Sequence, residues 1–232
     1  MVARAVAADA TIVRMSTDAF ADISVHEFGA RLASAEPVPG GGSASAMAAS
    51  FSASLIAMVA RLSEGRQKYA PYAATHRRAL AFATQAAQDL LALADRDADA
   101  YAALAAALRL PRETAEEKEA REVAIRAAAR GAAEVPLQVV RLCAGLSAEA
   151  DAMAGRSNLN ASSDIGVAAL LAEAAGRGAA ANVMVNLPSV GDDAYTGEMT
   201  DEVMGLLSVI EEQCARARER VGSGHLREPE PE

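Results

Sequence analysis

Two stretches of this chain, residues 72–108 and 114–154, keep apolar residues at helical spacing from end to end. Alanine fills many of their positions, and alanine has the highest helix propensity of all residues. Mixtures of alanine, leucine, glutamate and arginine do not form sheets, which favour β-branched and aromatic residues. Aromatic residues make up only 3% of the chain and tryptophan is absent. We therefore predict an all-α protein with a core of small aliphatic side chains.

Prolines, glycines and capping residues divide the chain into about six helices. Capping boxes at 24–27 and 114–117 predict two helix starts. Pro136 is expected to kink the helix in which it lies, because it removes one backbone donor. The predicted helices span residues 24–34, 43–63, 72–108, 114–154, 164–186 and 193–221.

No repeat or linker interrupts this pattern, so we predict one helical domain over residues 21–221. Residues 1–20 are predicted to be a disordered extension, because they lack a signal-peptide core. Residues 222–232 are predicted to be a disordered polar tail. No uninterrupted apolar stretch approaches the roughly 20 residues of a membrane span. Cys143 and Cys214 are interpreted as buried thiols of a cytoplasmic protein.

The chain carries 22 basic and 31 acidic residues, a net charge of −9. A general nucleic-acid binder normally has a basic excess, so we expect no nucleic-acid partner. An anionic small molecule remains compatible with this charge if positive groups are gathered locally.

The glycine-rich run Gly40-Gly41-Gly42-Ser43 is the first candidate for chemistry. It leads into a helix, whose first N–H groups and dipole favour an anion. It is not a P-loop, because no Gly-Lys-Ser/Thr follows. The alternative is a tight turn that lets two helices touch. Ser43 is predicted to cap the helix.

A second candidate lies inside the long helix at 72–108. Asp97 and Tyr101 are one turn apart on one face, while Asp95 and Asp99 lie on another. Aspartate is a mediocre helix former, so three of them in an alanine-rich helix suggest a function. The alternative is a solvated acidic face.

Polar residues near the ends of other helices are further candidates. Asn158, Asn160, Ser163 and Asp164 belong to a polar loop that leads into a helix, and the alternative is that Ser163 or Asp164 caps that helix. Asn182 and Asn186 lie one turn apart and either bind a planar amide edge or end the helix.

Arg66 and Lys68 lie beside Tyr69 in a polar turn that follows the second predicted helix. They either hold a carboxylate or form an exposed turn. The three histidines are scattered and no paired Glu-x-x-His occurs, so we predict no metal. No nucleophile elbow or Ser-His-Asp arrangement is present either.

Taken together, these motifs resemble the formiminotransferase-cyclodeaminase family, specifically its cyclodeaminase domain. The family also includes free-standing methenyltetrahydrofolate cyclohydrolases. The matching stretches are residues 37–45, 65–69, 93–101, 109–111, 134–137, 158–170 and 182–186. The likeness covers roughly residues 24–215. Two departures are Arg66 and Gln67, where family members often carry lysines, and Ile165, where many carry a small residue.

The resemblance implies an all-helical homodimer that binds a reduced folate as substrate and needs no separate cofactor. The expected activity is the cyclodeaminase reaction, in which 5-formiminotetrahydrofolate closes to 5,10-methenyltetrahydrofolate and releases ammonia. The alternatives are a methenyltetrahydrofolate cyclohydrolase and a non-catalytic dimerisation or folate-binding module. Such an enzyme would serve histidine degradation or one-carbon interconversion.

Both reactions pass through a cationic, amidinium-like carbon, so a carboxylate is needed to stabilise charge and move protons. Asp97 and Asp164 are the predicted catalytic residues, and Asp97 is the preferred acid or base. The predicted folate contacts are Gly40, Gly41, Gly42, Ser43, Arg66, Lys68, Tyr101, Asn158, Asn160, Asn182 and Asn186.

Overall fold

A computed structural model describes residues 18–230. Its helices are α1 Val25–Leu32, α2 Gly41–Ser63, α3 Ala73–Leu108, α4 Ala115–Met153, α5 Ser162–Asn186 and α6 Asp193–Ser223. Short 3₁₀ turns occur at Gln67–Tyr72, Leu159–Ala161 and Leu187–Ser189. No strand occurs between residues 18 and 230. The prediction of an all-α bundle is confirmed.

Most helix boundaries follow the local sequence, and the start of α2 does not. The Thr114 side chain and Glu117 form the predicted capping box of α4. The predicted Ser43 cap is wrong, because α2 begins at Gly41 with Gly40 as its cap residue. Ser43 lies inside the first turn, where its hydroxyl has a tertiary partner instead. Helix α4 continues through Pro136.

Helix α2 is the centre of the bundle. It packs against α3, α4 and α5, while α4 also packs against α6. Its buried face is formed largely of alanine and serine. The serine hydroxyls are satisfied by backbone carbonyls, as in the bonds from Ser52 to Ala168 O (2.8 Å) and from Ser63 to Val59 O (2.7 Å). These bonds explain why a core helix tolerates so many hydroxyl groups.

Small residues bring the helix axes close together. A Cβ atom at Gly145 of α4 would lie 2.2 Å from Cζ of Phe82 on α3. One at Gly178 of α5 would lie 2.5 Å from the Ser45 hydroxyl of α2. A larger residue at either position would force the facing side chain to move, so the close packing of α2, α3, α4 and α5 depends on these small residues.

The chain termini differ from the predicted disorder where the structure describes them. Residues 1–17 of the predicted extension lie outside the described part of the chain. Phe20 is buried against Phe28, and its N–H donates to Asp95 Oδ1 (2.8 Å). At the other end α6 runs to Ser223, and residues 224–230 are hydrogen-bonded along the bundle surface. Polar composition suggested a free tail, but tertiary hydrogen bonds hold it.

Two further observations concern the apolar helix α2 and the two cysteines. Helix α2 is long and apolar enough to cross a membrane by length and composition, with a mean hydropathy of 1.5. However, 67% of that window is buried inside the bundle, which is typical of the core helix of a globular protein. Cys143 and Cys214 are buried free thiols, as predicted.

Candidate active site

The start of α2 lies directly against the Asp97 carboxylate of α3. The Ser43 hydroxyl lies 3.0 Å from Asp97 Oδ2 and 3.0 Å from Ala94 O, so its single proton is shared between these acceptors. A Cβ atom on Gly42 would lie 2.1 Å from Asp97 Oδ1. Gly42 is therefore required by the close approach of a carboxylate from the same chain.

Asp97 is half-buried, and its environment acts on its charge in two directions. Burial raises the pKa of the Asp97 carboxyl above its ordinary value, while hydrogen bonds from the Ser43 hydroxyl and main chain oppose that rise. The anion-favouring helix start predicted from the glycine run is thus occupied by Asp97 rather than left open. The alternative of a turn that lets two helices touch is closer to the observed geometry.

Two asparagines of α5 complete this end of the bundle. A Cβ atom on Gly41 would lie 3.4 Å from Asn182 Nδ2, so Asn182 adjoins the glycine run. Its amide donates to Gly178 O (2.8 Å). The Asn186 amide donates to Ala132 O and to Asn182 O, both at 2.9 Å. Their amide donors are therefore bound to main-chain oxygens.

Tyr101 extends the same cluster toward solvent. It lies one helical turn beyond Asp97 on α3, and 45% of its surface is exposed. An aromatic side chain at this position is available to stack on a planar ligand. We name the group of Gly40–Ser43, Asp97, Tyr101, Asn182 and Asn186 the aspartate cluster.

The remaining predicted residues gather at the opposite end of α2. The Asn158 N–H donates to Ser63 Oγ (2.8 Å), and the Asn158 amide donates to Leu62 O (3.3 Å). Its Oδ1 accepts from the Asn160 N–H (3.1 Å). Asn158 is buried and serves the loop that connects α4 to α5, so its geometry favours the structural role over ligand binding.

The cations of this second group are accessible. Arg66 and Lys68 are exposed, and the Lys68 ammonium lies 5.6 Å from the centre of the Tyr69 ring. Arg66 and Tyr69 border a cavity of about 400 Å³. Asp164 lies half-buried in the first turn of α5. We name the group of Arg66, Lys68, Asn158, Asn160 and Asp164 the basic cluster.

The two clusters are too far apart to form one site within one chain. Ser43 and Ser63 mark the two ends of α2, which at 1.5 Å per residue are about 30 Å apart. Helix α5 runs antiparallel to α2, so it carries Asp164 at one end and Asn182 at the other. Asp97 and Asp164 are both predicted catalytic residues, and the structure places them at opposite ends of one chain.

The hydrogen bond between Ser43 and Asp97 could not be predicted from the sequence. The two residues are 54 positions apart, and no local pattern indicates that the α2 start faces the middle of α3. Within residues 18–230, no group of three His, Cys, Asp or Glu side chains is arranged to hold a metal ion.

Comparison with known proteins identifies relatives of this arrangement. A family model described as formiminotransferase-cyclodeaminase matches residues 24–205. A methenyltetrahydrofolate cyclohydrolase from Methylorubrum extorquens is 38% identical over 177 residues, which are 76% of this chain and 85% of that protein. The crystal structure of formiminotetrahydrofolate cyclodeaminase from Thermotoga maritima has a TM-score of 0.79 and 25% identity, covering 88% of this chain and 98% of that one.

Longer relatives contain the same domain. Formimidoyltransferase-cyclodeaminases from Sus scrofa and Rattus norvegicus are 34% and 35% identical, over 85% and 82% of this chain. The matched residues are only 36% and 35% of those proteins. This chain therefore spans about a third of their length.

Proposed function

This chain belongs to the formiminotransferase-cyclodeaminase family, and we propose that it hydrolyses 5,10-methenyltetrahydrofolate to 10-formyltetrahydrofolate. The relative named as a cyclohydrolase is 38% identical to this chain, against 25% for the solved cyclodeaminase, which supports this choice over the deaminase that the sequence alone placed first. The structural observation that carries the proposal is the half-buried Asp97 carboxylate, held by Ser43 at the start of α2.

A carboxylate in this position suits the chemistry of the methenyl bridge. Water attacks the cationic carbon between N5 and N10, and Asp97 accepts the proton that the water loses. The C–N5 bond of the tetrahedral intermediate then breaks while its hydroxyl becomes the formyl carbonyl. The proton held by Asp97 passes to N5, and the hydroxyl proton is released to solvent. A well-placed acid or base contributes about 10²–10⁴-fold to the rate. The negative charge of Asp97 also stabilises the cationic carbon.

The environment of Asp97 supports this double role. Burial brings its pKa closer to the working pH, which makes proton return to N5 easier. Ser43 fixes the orientation of the carboxylate, while Gly42 leaves room for it beside the helix. Tyr101 would stack on the pterin, and Asn182 with Asn186 would border its amide edge.

The second candidate is the cyclodeaminase reaction. It is favoured by the structural match to the Thermotoga maritima enzyme, which is covered over 98% of its chain. Here N10 attacks the formimino carbon, and ammonia leaves from a similar tetrahedral intermediate. Asp97 would take the N10 proton and return it to the leaving nitrogen.

The named relatives are enzymes, so this chain is an enzyme and not a binding module.

The proposed enzyme is a cytoplasmic homodimer whose site is shared between subunits. Exposed apolar side chains line α2 and α5 between the two clusters, and they include Phe51, Met58, Leu62, Val167 and Leu170. If two copies pack through this face about a two-fold axis at its middle, α2 of one copy runs antiparallel to α2 of the other. The basic cluster of one copy then lies beside the aspartate cluster of the other. Arg66 and Lys68 would there meet the carboxylates of the folate glutamate.

Absorbance of the methenyl chromophore tests the activity directly. Purified protein with 5,10-methenyltetrahydrofolate is expected to bleach the chromophore, at a rate that scales with enzyme and exceeds spontaneous hydrolysis. A second cuvette holds 5-formiminotetrahydrofolate, where a growing chromophore would establish the deaminase instead. Absence of both changes with folded, dimeric protein would refute the proposed function.

A further inference from the structure

A groove rich in arginine lies at the end of the bundle where α3 begins and α4 ends. It is formed by the start of α3, the end of α4, the second half of α6 and the C-terminal residues, and it has a volume of about 1080 Å³. Its five arginines are Arg78, Arg156, Arg216, Arg220 and Arg227. We name this feature the arginine groove. It lies at the opposite end of α3 from Asp97, since Arg78 precedes Asp97 by about 28 Å of helix.

The arginine groove already holds one carboxylate, which comes from the chain itself. Glu230 accepts hydrogen bonds from Thr75 Oγ1 (3.0 Å) and from Arg78 Nη1 (2.8 Å). Arg156 forms a longer ion pair with it at 3.5 Å. A carboxylate bound by two guanidinium groups and a hydroxyl shows which ligand chemistry this surface recognises.

The main chain of the C-terminal segment is held beside that carboxylate. The Tyr72 hydroxyl donates to Arg227 O (2.7 Å), and the Arg227 N–H donates to Gly155 O (2.8 Å). Arg156 Nε donates to Glu228 O (2.7 Å). The segment is thus a wall of the groove, and the open volume lies next to it.

Positive charge in the groove exceeds negative charge. Five arginines face three carboxylates, which belong to Glu149, Asp151 and Glu230. Glu212, which lies outside the groove lining, also pairs with Arg216 and reduces this local excess to one positive charge, in a chain whose net charge is −9. Arg216 and Arg220 both pair with Asp151. Burial, followed by the neighbouring Arg156 and Arg220, lowers the pKa of the Arg227 guanidinium.

Two of the five arginines bind main-chain carbonyls at the end of α4. Arg156 donates to Ala152 O, and Arg227 donates to Asp151 O and Ala154 O, so both guanidiniums satisfy carbonyls of the last turn. Arg78 and Arg216 donate hydrogen bonds to side-chain carboxylates and not to the carbonyls at the end of α4. The hydrogen bonds to the last turn of α4 therefore do not neutralise the excess positive charge beside the open volume of the arginine groove.

We propose that the arginine groove is a second ligand site, which binds an anion carrying two or more carboxylates. Such a ligand would lie beside the seated Glu230 and pair with Arg216, Arg220 and Arg227. In the structure Arg216 pairs with Asp151 and Glu212, Arg220 pairs with Asp151, and the Arg227 guanidinium donates to main-chain carbonyls. Bidentate arginine–carboxylate geometry suits this chemistry. The ligand is either a small organic acid or an acidic peptide, since both present carboxylates at this spacing. The site is independent of the proposed folate chemistry.

Calorimetric titration of the full chain at low ionic strength tests the proposal. The probes are citrate and a tri-glutamate peptide, with acetate as the monovalent control. We expect at least one multivalent probe to bind at least tenfold more tightly than acetate. Arg216→Gln and Arg227→Gln should each weaken that binding severalfold. Arg31→Gln makes the same charge change on α1 and should leave it unchanged.

Tight binding of citrate alone would identify a small organic acid, and tight binding of tri-glutamate alone an acidic peptide. Amide hydrogen exchange of residues 224–230 should also slow with the bound probe, because Arg227 belongs to the C-terminal segment. This measurement needs no substitution. The proposal fails if neither probe binds folded protein, or if both groove variants bind as wild type does. Folate turnover would be unaffected by either result.

Discussion

At the scale of single residues, the most informative contact joins Asp97 to the first turn of α2. The carboxylate lies over Gly42 and against the Ser43 hydroxyl, where any larger residue at position 42 would collide with it. A buried carboxylate prefers to be neutral, and hydrogen-bond donors restore part of the preference for charge. The opposing effects at Asp97 are typical of a proton-transfer group.

Replacing Asp97 by asparagine tests its catalytic role. We expect kcat to fall by about 10²–10⁴-fold, because asparagine neither accepts nor returns the proton. Asp99→Asn, on an exposed position of the same helix, should retain activity. The measurement is methenyltetrahydrofolate turnover, with circular dichroism as the check on folding. Full activity in Asp97→Asn would remove Asp97 from the mechanism.

The same variant should not lose thermal stability at neutral pH. Burial raises the folded-state pKa of Asp97, so its contribution to stability is present below its ordinary pKa and is lost as the pH rises through the folded-state pKa. At pH 7 the ionised carboxylate therefore costs stability, and asparagine removes that cost. A melting temperature at or above that of wild type is expected, measured by calorimetry at pH 7.

Ser43→Ala should move the pH dependence of activity. The Ser43 hydroxyl holds the pKa of Asp97 down, so its removal raises that pKa. In the proposed mechanism the ionised Asp97 accepts the first proton, so the acidic limb of the kcat/KM profile should shift to higher pH. Ser54→Ala, on an exposed position of the same helix, is the matched control. An unshifted limb would mean that Ser43 has only a structural role.

At the scale of helices, glycine and alanine decide how closely the elements pack. Gly145 faces Phe82 at a distance that leaves no room for a side chain, whereas no atom outside the local backbone lies within 4 Å of a Cβ at Gly131. Both glycines belong to α4. The helix therefore contains one glycine that its packing requires and one that it does not.

These two glycines give a paired prediction for stability. Gly131→Ala should raise the free energy of unfolding by about 0.5–1 kcal/mol, because alanine has the higher helix propensity. Gly145→Ala should lower it by about 1–3 kcal/mol, since the new methyl group overpacks the contact with Phe82. Denaturant unfolding of both variants measures the difference. Equal gains in both would contradict the close approach of α3 and α4.

At the scale of the whole molecule, the predicted site residues divide between two ends of the bundle. The exposed apolar side chains of α2 between them run from Phe51 to Leu62, about 17 Å of helix, and Val167 and Leu170 of α5 extend this face. A stable interface buries roughly 800 Å² per partner, so a dimer formed here would also bury polar surface around this face. A shared site would explain why Asp97 and Asp164 lie at opposite ends of one chain.

Mixing two inactive variants tests the shared site. Asp97→Asn and Asp164→Asn homodimers should each be inactive, because every site contains one defective half. Random subunit exchange makes half of the dimers mixed, and one of the two sites in each mixed dimer has both aspartates, so about a quarter of wild-type activity should return. Activity that stays at the level of the separate variants would place each site within one subunit.

The all-α class, the helix lengths and the motif residues of this protein follow from the sequence by itself. Helix propensity, apolar spacing and N-terminal caps such as Thr114 depend on a few neighbouring residues, so they can be recognised in the sequence. The tertiary structure alone decided that Ser43 binds Asp97 instead of capping α2. It also decided that Asp164 lies far from Asp97 and that Glu230 is held by Arg78. These contacts join residues far apart in the chain, and they depend on how the helices pack, which no local pattern specifies.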